Sequence, residues 1–308
     1  MMTVLGIDTS NYTTSLALVG GDGFRHERRI LEVASGERGL RQSNALFLHT
    51  KNLPGLFELL GDASHIDAVA VSDRPRDEDG SYMPCFLAGL SAASAAASAA
   101  GVPLYRFSHQ AGHIMAAART CPRPDIAHEK LLCFHVSGGT TELVLASPSD
   151  ERGFSVTVVG GTEDISAGQL VDRTGVLLGL SFPCGGQLEK LALCSDTQKT
   201  KIAAKGAFCN YSGAENIVLG MIRGGRPPEE IARFALDFCA DSLISSVSAA
   251  RKEYPSLPVL FAGGVMRNSI IREKISSSLD NIYFGSEELS SDNAVGTAWL
   301  GMEKHERT

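Results

Sequence analysis

One nine-residue pattern occurs twice in this chain, and that repetition constrains the fold more than any single residue does. Ser10-Asn11-Tyr12-Thr13-Thr14-Ser15-Leu16-Ala17-Leu18 aligns without gaps on Ser137-Gly138-Gly139-Thr140-Thr141-Glu142-Leu143-Val144-Leu145. Each copy follows an apolar strand, makes a tight polar turn, and enters a second apolar strand through a Thr-Thr pair. Two copies imply two lobes, each opening with a β-hairpin whose turn offers backbone N–H groups to phosphate across a cleft. The 308 residues suffice for two lobes of about 150 residues each. The expected division is 1–128 for an N-terminal lobe and 129–308 for a C-terminal lobe, with the final helix packing back toward the cleft.

The rest of the pattern is α/β. Val4 to Asp8, Thr13 to Val19, Phe24 to Leu31 and Ile66 to Ser72 read as strands, and the Ala- and Ser-rich run Leu87 to Ala100 reads as a closely packed helix. In the second half, Ser155 to Gly160 reads as a strand and Ile165 to Leu178 as a helix. A long amphipathic helix, Glu229 to Tyr254, follows Pro227-Pro228. A buried strand, Pro258 to Ala262, then leads through Gly263-Gly264 into a helix from about Asn268 to Leu279. A strand at Ile282 to Gly285 and a helix beginning near Asp292 complete the chain.

Composition excludes several classes. With 28 Lys and Arg against 35 Asp and Glu, the net charge of −7 argues against a general nucleic-acid binder. It leaves room for local basic patches, of which Lys199, Lys201 and Lys205 form one and Arg223 and Arg226 another. Seven cysteines, an odd number without a CxxC pair, suit a reducing cytoplasm rather than a disulfide framework. The start, Met1-Met2-Thr3-Val4-Leu5, reads as a strand and not a secretory signal, and no membrane association is expected.

Ser108-His109-Gln110-Ala111-Gly112-His113 places two imidazoles four residues apart, on one face of a helix, where both can reach one metal ion. A zinc peptidase would need a glutamate where Gln110 stands, since an amide cannot act as the general base. Ser137-Gly138-Gly139-Thr140 is a glycine-rich turn whose N–H groups can converge on phosphate oxygens. Gly263-Gly264-Val265 lies where a buried strand meets a helix, a place where nucleotides lie against backbone, and Asn268 offers an amide to an adenine edge. Asp292, near a helix start, reads either as an N-cap or as a carboxylate completing a His-His-Asp set, which leaves positions open for chemistry on zinc or iron.

Taken in order, Gly6-Ile7-Asp8-Thr9-Ser10, HxxxH, Val-Ser-Gly-Gly-Thr, Gly-Gly-Val-x-x-Asn and Ser-Asp-Asn resemble the family that makes threonylcarbamoyladenosine in tRNA, formerly described as glycoprotein endopeptidases. The resemblance covers nearly the whole chain. It implies the two-lobed fold of actin, heat-shock ATPases and sugar kinases. It also implies transfer of a threonylcarbamoyl group from threonylcarbamoyl-adenylate to an adenosine beside the tRNA anticodon. By position, His109, His113 and Asp292 match the metal ligands, for one divalent iron or zinc. His135, Val136, Ser137, Gly138 and Gly139 match the loop that holds phosphate and substrate of ATP or an adenylate. Asp172 matches a ribose-binding carboxylate, Gly185 and Glu189 fall in and just beyond a glycine turn, and Gly263, Gly264 and Asn268 match the adenine side. Asp8, Ser10 and Ser137 are the candidate catalytic residues, and accessory proteins of the modification pathway are candidate partners.

Several family positions differ. The acidic pair in Ser-Cys-Asp-Glu-Thr is replaced in Ser10-Asn11-Tyr12-Thr13-Thr14, and the Thr-x-Gly-Pro-Gly stretch becomes the charged Ser72-Asp73-Arg74-Pro75-Arg76-Asp77-Glu78-Asp79-Gly80. Ala111 replaces a glutamate, and Ser212-Gly213-Ala214-Glu215-Asn216 lacks the lysine of Ser-Gly-Leu-Lys-Thr. The alternative expectation is therefore a nucleotide- and metal-binding paralogue that acts as an interaction or regulatory subunit, or on another acceptor.

Overall fold

The computed structural model describes all residues except Met1, Asn11, Asp22, 33–39, Ser64, Ser291 and Asp292. The first elements are β1 (Thr3–Asp8), β2 (Thr13–Gly20), β3 (Gly23–Ile30), α1 (Gln42–Leu60), β4 (Ala68–Arg74), α2 (Phe86–Ala100), β5 (Leu104–Ser108) and α3 (His109–Thr120). They are followed by β6 (Leu131–Val136), β7 (Thr141–Ser149), β8 (Gly153–Gly161), α4 (Ala167–Leu177), α5 (Gly185–Ala192), β9 (Ala204–Lys205), β10 (Phe208–Cys209), α6 (Ser212–Arg223) and α7 (Pro228–Ala250). The chain ends with β11 (Val259–Ala262), α8 (Ser269–Ser278), β12 (Ile282–Phe284) and α9 (Val295–Glu306). Two compact units result. One holds Met1–His128, Ser147–Ser155 and Ser291–Thr308; the other holds Glu129–Ala146 and Val156–Ser290.

Each unit is built on the same sheet. The first has order β3-β2-β1-β4-β5, and the second contains β8-β7-β6-β11-β12, extended by β10 and β9. In both, the leading hairpin is antiparallel and the next strand joins its first strand in parallel, β4 to β1 and β11 to β6. The shift that places Ser10 on Ser137 also takes the ladder pair Ile7↔Leu16 onto Phe134↔Leu143. The repeat seen in sequence is thus a repeat in register, and it makes Asp8 and His135 equivalent strand-end positions.

Apolar alternation gives way to continuous burial because these central strands are covered on both faces. In the first unit Leu5, Ile7, Leu16, Val69 and Val71 pack with Leu53 and Leu56 of α1 and Ala93 and Ala97 of α2. In the second, Leu132, Phe134, Val259 and Phe261 form one core with Leu236, Leu243 and Val247 of α7. Among the described residues no disulfide links the cysteines and no helix is long and apolar enough to cross a membrane.

The sequence reading assigned no element to 42–60, which is α1 despite Pro54 inside it, nor to α5, α6 and β5. The helix expected over Glu229 to Tyr254 ends at Ala250. The helix expected from Asn268 starts at Ser269, after a 3₁₀ turn over Gly264–Arg267.

The closest packing in the first unit surrounds α9. A Cβ on Gly6 would lie 2.5 Å from Ala294 O, one on Gly112 2.7 Å from Thr297 Oγ1, and one on Gly296 would overlap Gly112 O. Backbone obstructs that last methyl, so Gly296→Ala is expected to lose about 1–3 kcal/mol of stability by overpacking. Gly220 on the exposed side of α6 has nothing near it, so Gly220→Ala should gain about 0.5–1 kcal/mol. Denaturant unfolding of the two variants measures both.

Candidate functional site

In the first unit the histidine helix begins where a serine caps it. Ser108 is extended (φ −78°, ψ 150°) and its Oγ accepts from Ala111 N, satisfying one of the open amides of the first turn. The same hydroxyl donates to Asp77 Oδ2 at 2.9 Å, and Asp77 Oδ1 accepts from Arg74 Nε at 2.9 Å. Arg74 also pairs with Asp73, and Pro75 O accepts from Gln110 N at 3.1 Å. The charged stretch that stands in place of Thr-x-Gly-Pro-Gly thus pairs Arg74 with Asp73 and Asp77 and closes on the start of α3.

His109 and His113 follow on one turn, with ring centroids 4.3 Å apart and planes at 78°. His109 Nδ1 lies 2.8 Å from Asp8 Oδ2, and Ser10 N donates to Asp8 Oδ1 at 2.8 Å. Asp8 is 1% exposed. Burial alone would raise its pKa, but the His109 charge and hydrogen bonds from His109, Ser72 and Ser10 hold it below the usual carboxylate range. A carboxylate on Nδ1 places the proton of a neutral imidazole there and the lone pair on Nε2, the arrangement of a metal-binding histidine with its supporting acid. The donor set therefore fits a divalent cation. Among the described residues no three His, Cys, Asp or Glu side chains group as a metal site; Asp292, the expected third ligand, lies outside the described residues. The two residues after it are fixed, Ala294 N donating to Ser15 Oγ at 2.8 Å and Asn293 Oδ1 accepting from Val295 N at 3.0 Å.

In the second unit β6 delivers His135 and Val136 to a turn closed by Ser137 N donating to Thr140 O (2.7 Å) and Thr140 N donating to Ser137 Oγ (3.1 Å). Gly138 and Gly139 are exposed, with open space where a Cβ would stand. Behind the turn is the N-terminus of α4, where Ser166 and Gln169 form a capping box and Ser166 Oγ donates to Gly138 O at 2.8 Å. A Cβ on Gly168 would overlap Ser137 O, so glycine lets turn and helix meet. Exposed glycines over the positive end of a helix suit an anion. The Ser-x-x-Gln spacing was the signal for this cap, and the sequence reading did not use it.

The remaining nucleotide candidates form local groups. Gly263 has φ +101° and its Cβ would overlap Val136 O, which ties the end of β11 to the end of β6. Asp172 on α4 accepts from Cys184 N at 2.8 Å, just before Gly185 opens α5. Glu189 on α5 accepts from Ser269 N at 2.7 Å. Asn268, expected at the start of a helix, is the N-cap of α8, its Oδ1 accepting from Ile271 N at 3.0 Å. Its Nδ2 group takes no part in the cap and can donate to a base.

Burial raises the Asp172 carboxyl above its usual range, opposed by the Cys184 N–H. A raised folded-state pKa means that ionisation costs stability, and the loss grows as pH rises through the folded pKa. Asp172→Asn keeps an acceptor without the charge. It is expected to match or exceed the native protein in unfolding free energy at pH 7, the advantage vanishing at acid pH, while nucleotide binding, measured by calorimetry, weakens.

A family model described as TsaD, tRNA N6-adenosine threonylcarbamoyltransferase, matches residues 49–299. The protein of that name from Streptococcus mutans is 30% identical over 259 residues, 80% of this chain and 73% of the relative. That from Moorella thermoacetica is 30% identical over 95% of this chain and 89% of its own. Among solved structures, component A of (R)-2-hydroxyglutaryl-CoA dehydratase from Acidaminococcus fermentans (TM-score 0.58, 13% identity, 99% and 100% coverage) shares the fold. So does the ROK hexokinase of Thermus thermophilus (TM-score 0.52, 14% identity, all of both chains). The fold class is therefore the α/β fold of these two solved structures, built here as two compact units.

Proposed function

This chain belongs to the tRNA N6-adenosine threonylcarbamoyltransferase family, and from that premise we propose that it transfers a threonylcarbamoyl group from threonylcarbamoyl-adenylate to the exocyclic amine of the adenosine beside the tRNA anticodon. The observation that carries this reading is the His109–His113 pair on one turn of α3, with His109 fixed by Asp8, inside the segment that matches the family.

In this reading His109, His113 and Asp292 hold one divalent cation, iron or zinc. The cation supplies Lewis acidity toward the carbamoyl oxygen. Asp8 orients His109, and Ser10 holds Asp8 through its N–H. The N–H groups of Gly138 and Gly139, the Ser137 hydroxyl and the α4 N-terminus bind the adenylate phosphate. Asp172 and Glu189 take ribose hydroxyls, Gly185 admits the sugar, and Asn268 donates to the adenine with Gly263 and Gly264 beneath it. His135 and Val136 carry the turn. The amine nitrogen bonds to the carbamoyl carbon and gives up one proton to the departing phosphate, the anhydride C–O bond breaks, and its electron pair leaves on that phosphate, where those N–H groups stabilise the charge. The reaction belongs in the cytoplasm with tRNA, and accessory proteins of the pathway are the expected partners.

Supporting carboxylates on metal-binding histidines contribute about 10–100-fold in affinity, so Asp8→Asn is expected to bind zinc that much more weakly in a competition titration, with the fold intact. The activity itself is tested with labelled threonylcarbamoyl-adenylate and tRNA lacking the modification, alone and with the host's accessory proteins. Label on tRNA that disappears in His113→Ala supports the transferase. Retained metal and nucleotide with no transfer in any combination would contradict it and make the chain a repurposed paralogue.

A further inference from the structure

Between α5 and β10 the chain is two-faced over part of its length. Along 198–202 the even residues Gln198, Thr200 and Ile202 are half-buried, whereas Lys199 and Lys201 are exposed, as are 203–205. Its inner side is pinned by charge. Asp237 on α7, 0% exposed, accepts from Gln198 N at 2.7 Å, from Arg233 Nε at 3.1 Å and from Lys274 Nζ at 3.2 Å. Arg233 donates to Ser195 O at 3.1 Å and Thr197 Oγ1 at 2.7 Å. Thr200 Oγ1 donates to Asp241, which also accepts from Lys274 Nζ at 2.8 Å. Ile202 packs on the core of the unit. The strap is therefore held by three polar side chains of α7, two of them braced by Lys274 of α8, and its outward lysines take no part in holding it.

Lys199 and Lys201 share the exposed side of the alternating stretch 198–202, and Lys205, in β9, is exposed four residues further on. Two residues of strand span about 6.6 Å, the scale on which phosphates succeed one another along a single nucleic-acid strand. No Asp or Glu occurs from 197 to 214, although acidic residues outnumber basic ones in the whole chain by 35 to 28. A basic ridge on an acidic protein attracts a polyanion locally where the overall field repels one.

We infer that Lys199, Lys201 and Lys205 form a phosphate-tracking ridge that binds the RNA backbone of the acceptor, the strap being pre-set for it by Asp237 and Asp241. The inference rests on the reading of tRNA as acceptor. Pre-setting matters because lysines on a fixed extended segment lose less freedom on binding than lysines on an unanchored loop.

The test is tRNA binding by the full chain as a function of salt, for Lys199→Glu/Lys201→Glu/Lys205→Glu and for Lys51→Glu/Lys130→Glu/Lys252→Glu, which makes the same change in net charge at other exposed positions. Each phosphate contact contributes roughly 0.7–0.9 to the slope of log affinity against log salt. The strap variant should lose at least tenfold in affinity at low salt and about two units of slope. The control should lose much less, and both should keep the native adenylate affinity and melting temperature. Equal losses in the two variants, or native binding by the strap variant, overturn the ridge even if transfer to tRNA is demonstrated. Native protein that binds no tRNA at low salt overturns it as well. If the ridge behaves as expected and no threonylcarbamoyl reaches tRNA, the ridge stands and the transferase reading falls. Lys199→Gln/Lys201→Gln/Lys205→Gln, with a milder charge change, should show an intermediate loss, and its behaving as native also contradicts the ridge.

Discussion

The candidate metal residues depend on one contact of backbone against backbone. α9 approaches α3 so closely that Gly112 and Gly296 cannot carry side chains, and Thr297 fills the remaining space beside Gly112. Thr297 Oγ1 in turn meets Ser72 Oγ at 2.9 Å, at the end of the strand paired with β1. Gly6 of β1 lies under the same helix at Ala294 and Ala298. The end of β1, which bears Asp8, and the turn of α3, which bears His109 and His113, are thus indexed to one rigid element. Small residues purchase proximity at some entropic cost, and here the proximity holds a carboxylate against an imidazole.

The second unit positions its residues differently. Its strand-end equivalent of Asp8 is His135, and its turn carries Gly138 and Gly139 where the first copy has Asn11 and Tyr12. Its work is done by a helix terminus: the capping box at Ser166 and Gln169 satisfies two amides of α4 and also grips Gly138 O. One duplicated sheet thus carries two different sets of groups, a carboxylate–imidazole pair beside one hairpin and exposed glycines over a helix N-terminus beside the other, because the side chains at the strand ends differ while the ladder register does not.

Much of this was legible in the sequence, for reasons that can be stated residue by residue. The two hairpins were found because their alternation and Thr-Thr pairs repeat, and ladder pairing preserves that repeat. HxxxH fell on a helix as expected, since Ser108 is a good cap. α1 was not read, because Pro54 lies within it and apolar residues such as Phe47 and Leu59 stand exposed on it, which blurs its periodicity. α5 is too short, at eight residues, to show a period. Asn268 stands at the expected helix start and caps α8, because its short amide competes for the first open amides there, while the 3₁₀ turn Gly264–Arg267 before it is not announced by any local pattern. The Arg74–Asp77–Ser108 and Asp237–Lys274 networks join residues distant in sequence, so no local pattern announces them.

The proposed cation site rests on the two histidines of α3 and on Asp8, which fixes His109. Anomalous diffraction from crystals of the metal-loaded protein, collected across the iron and zinc absorption edges, tests it most directly. One strong peak bonded to Nε2 of His109 and to His113, with Asp292 as the third protein ligand, is the expected result. A metal bound elsewhere, or no peak at these histidines in protein saturated with either metal, would contradict it.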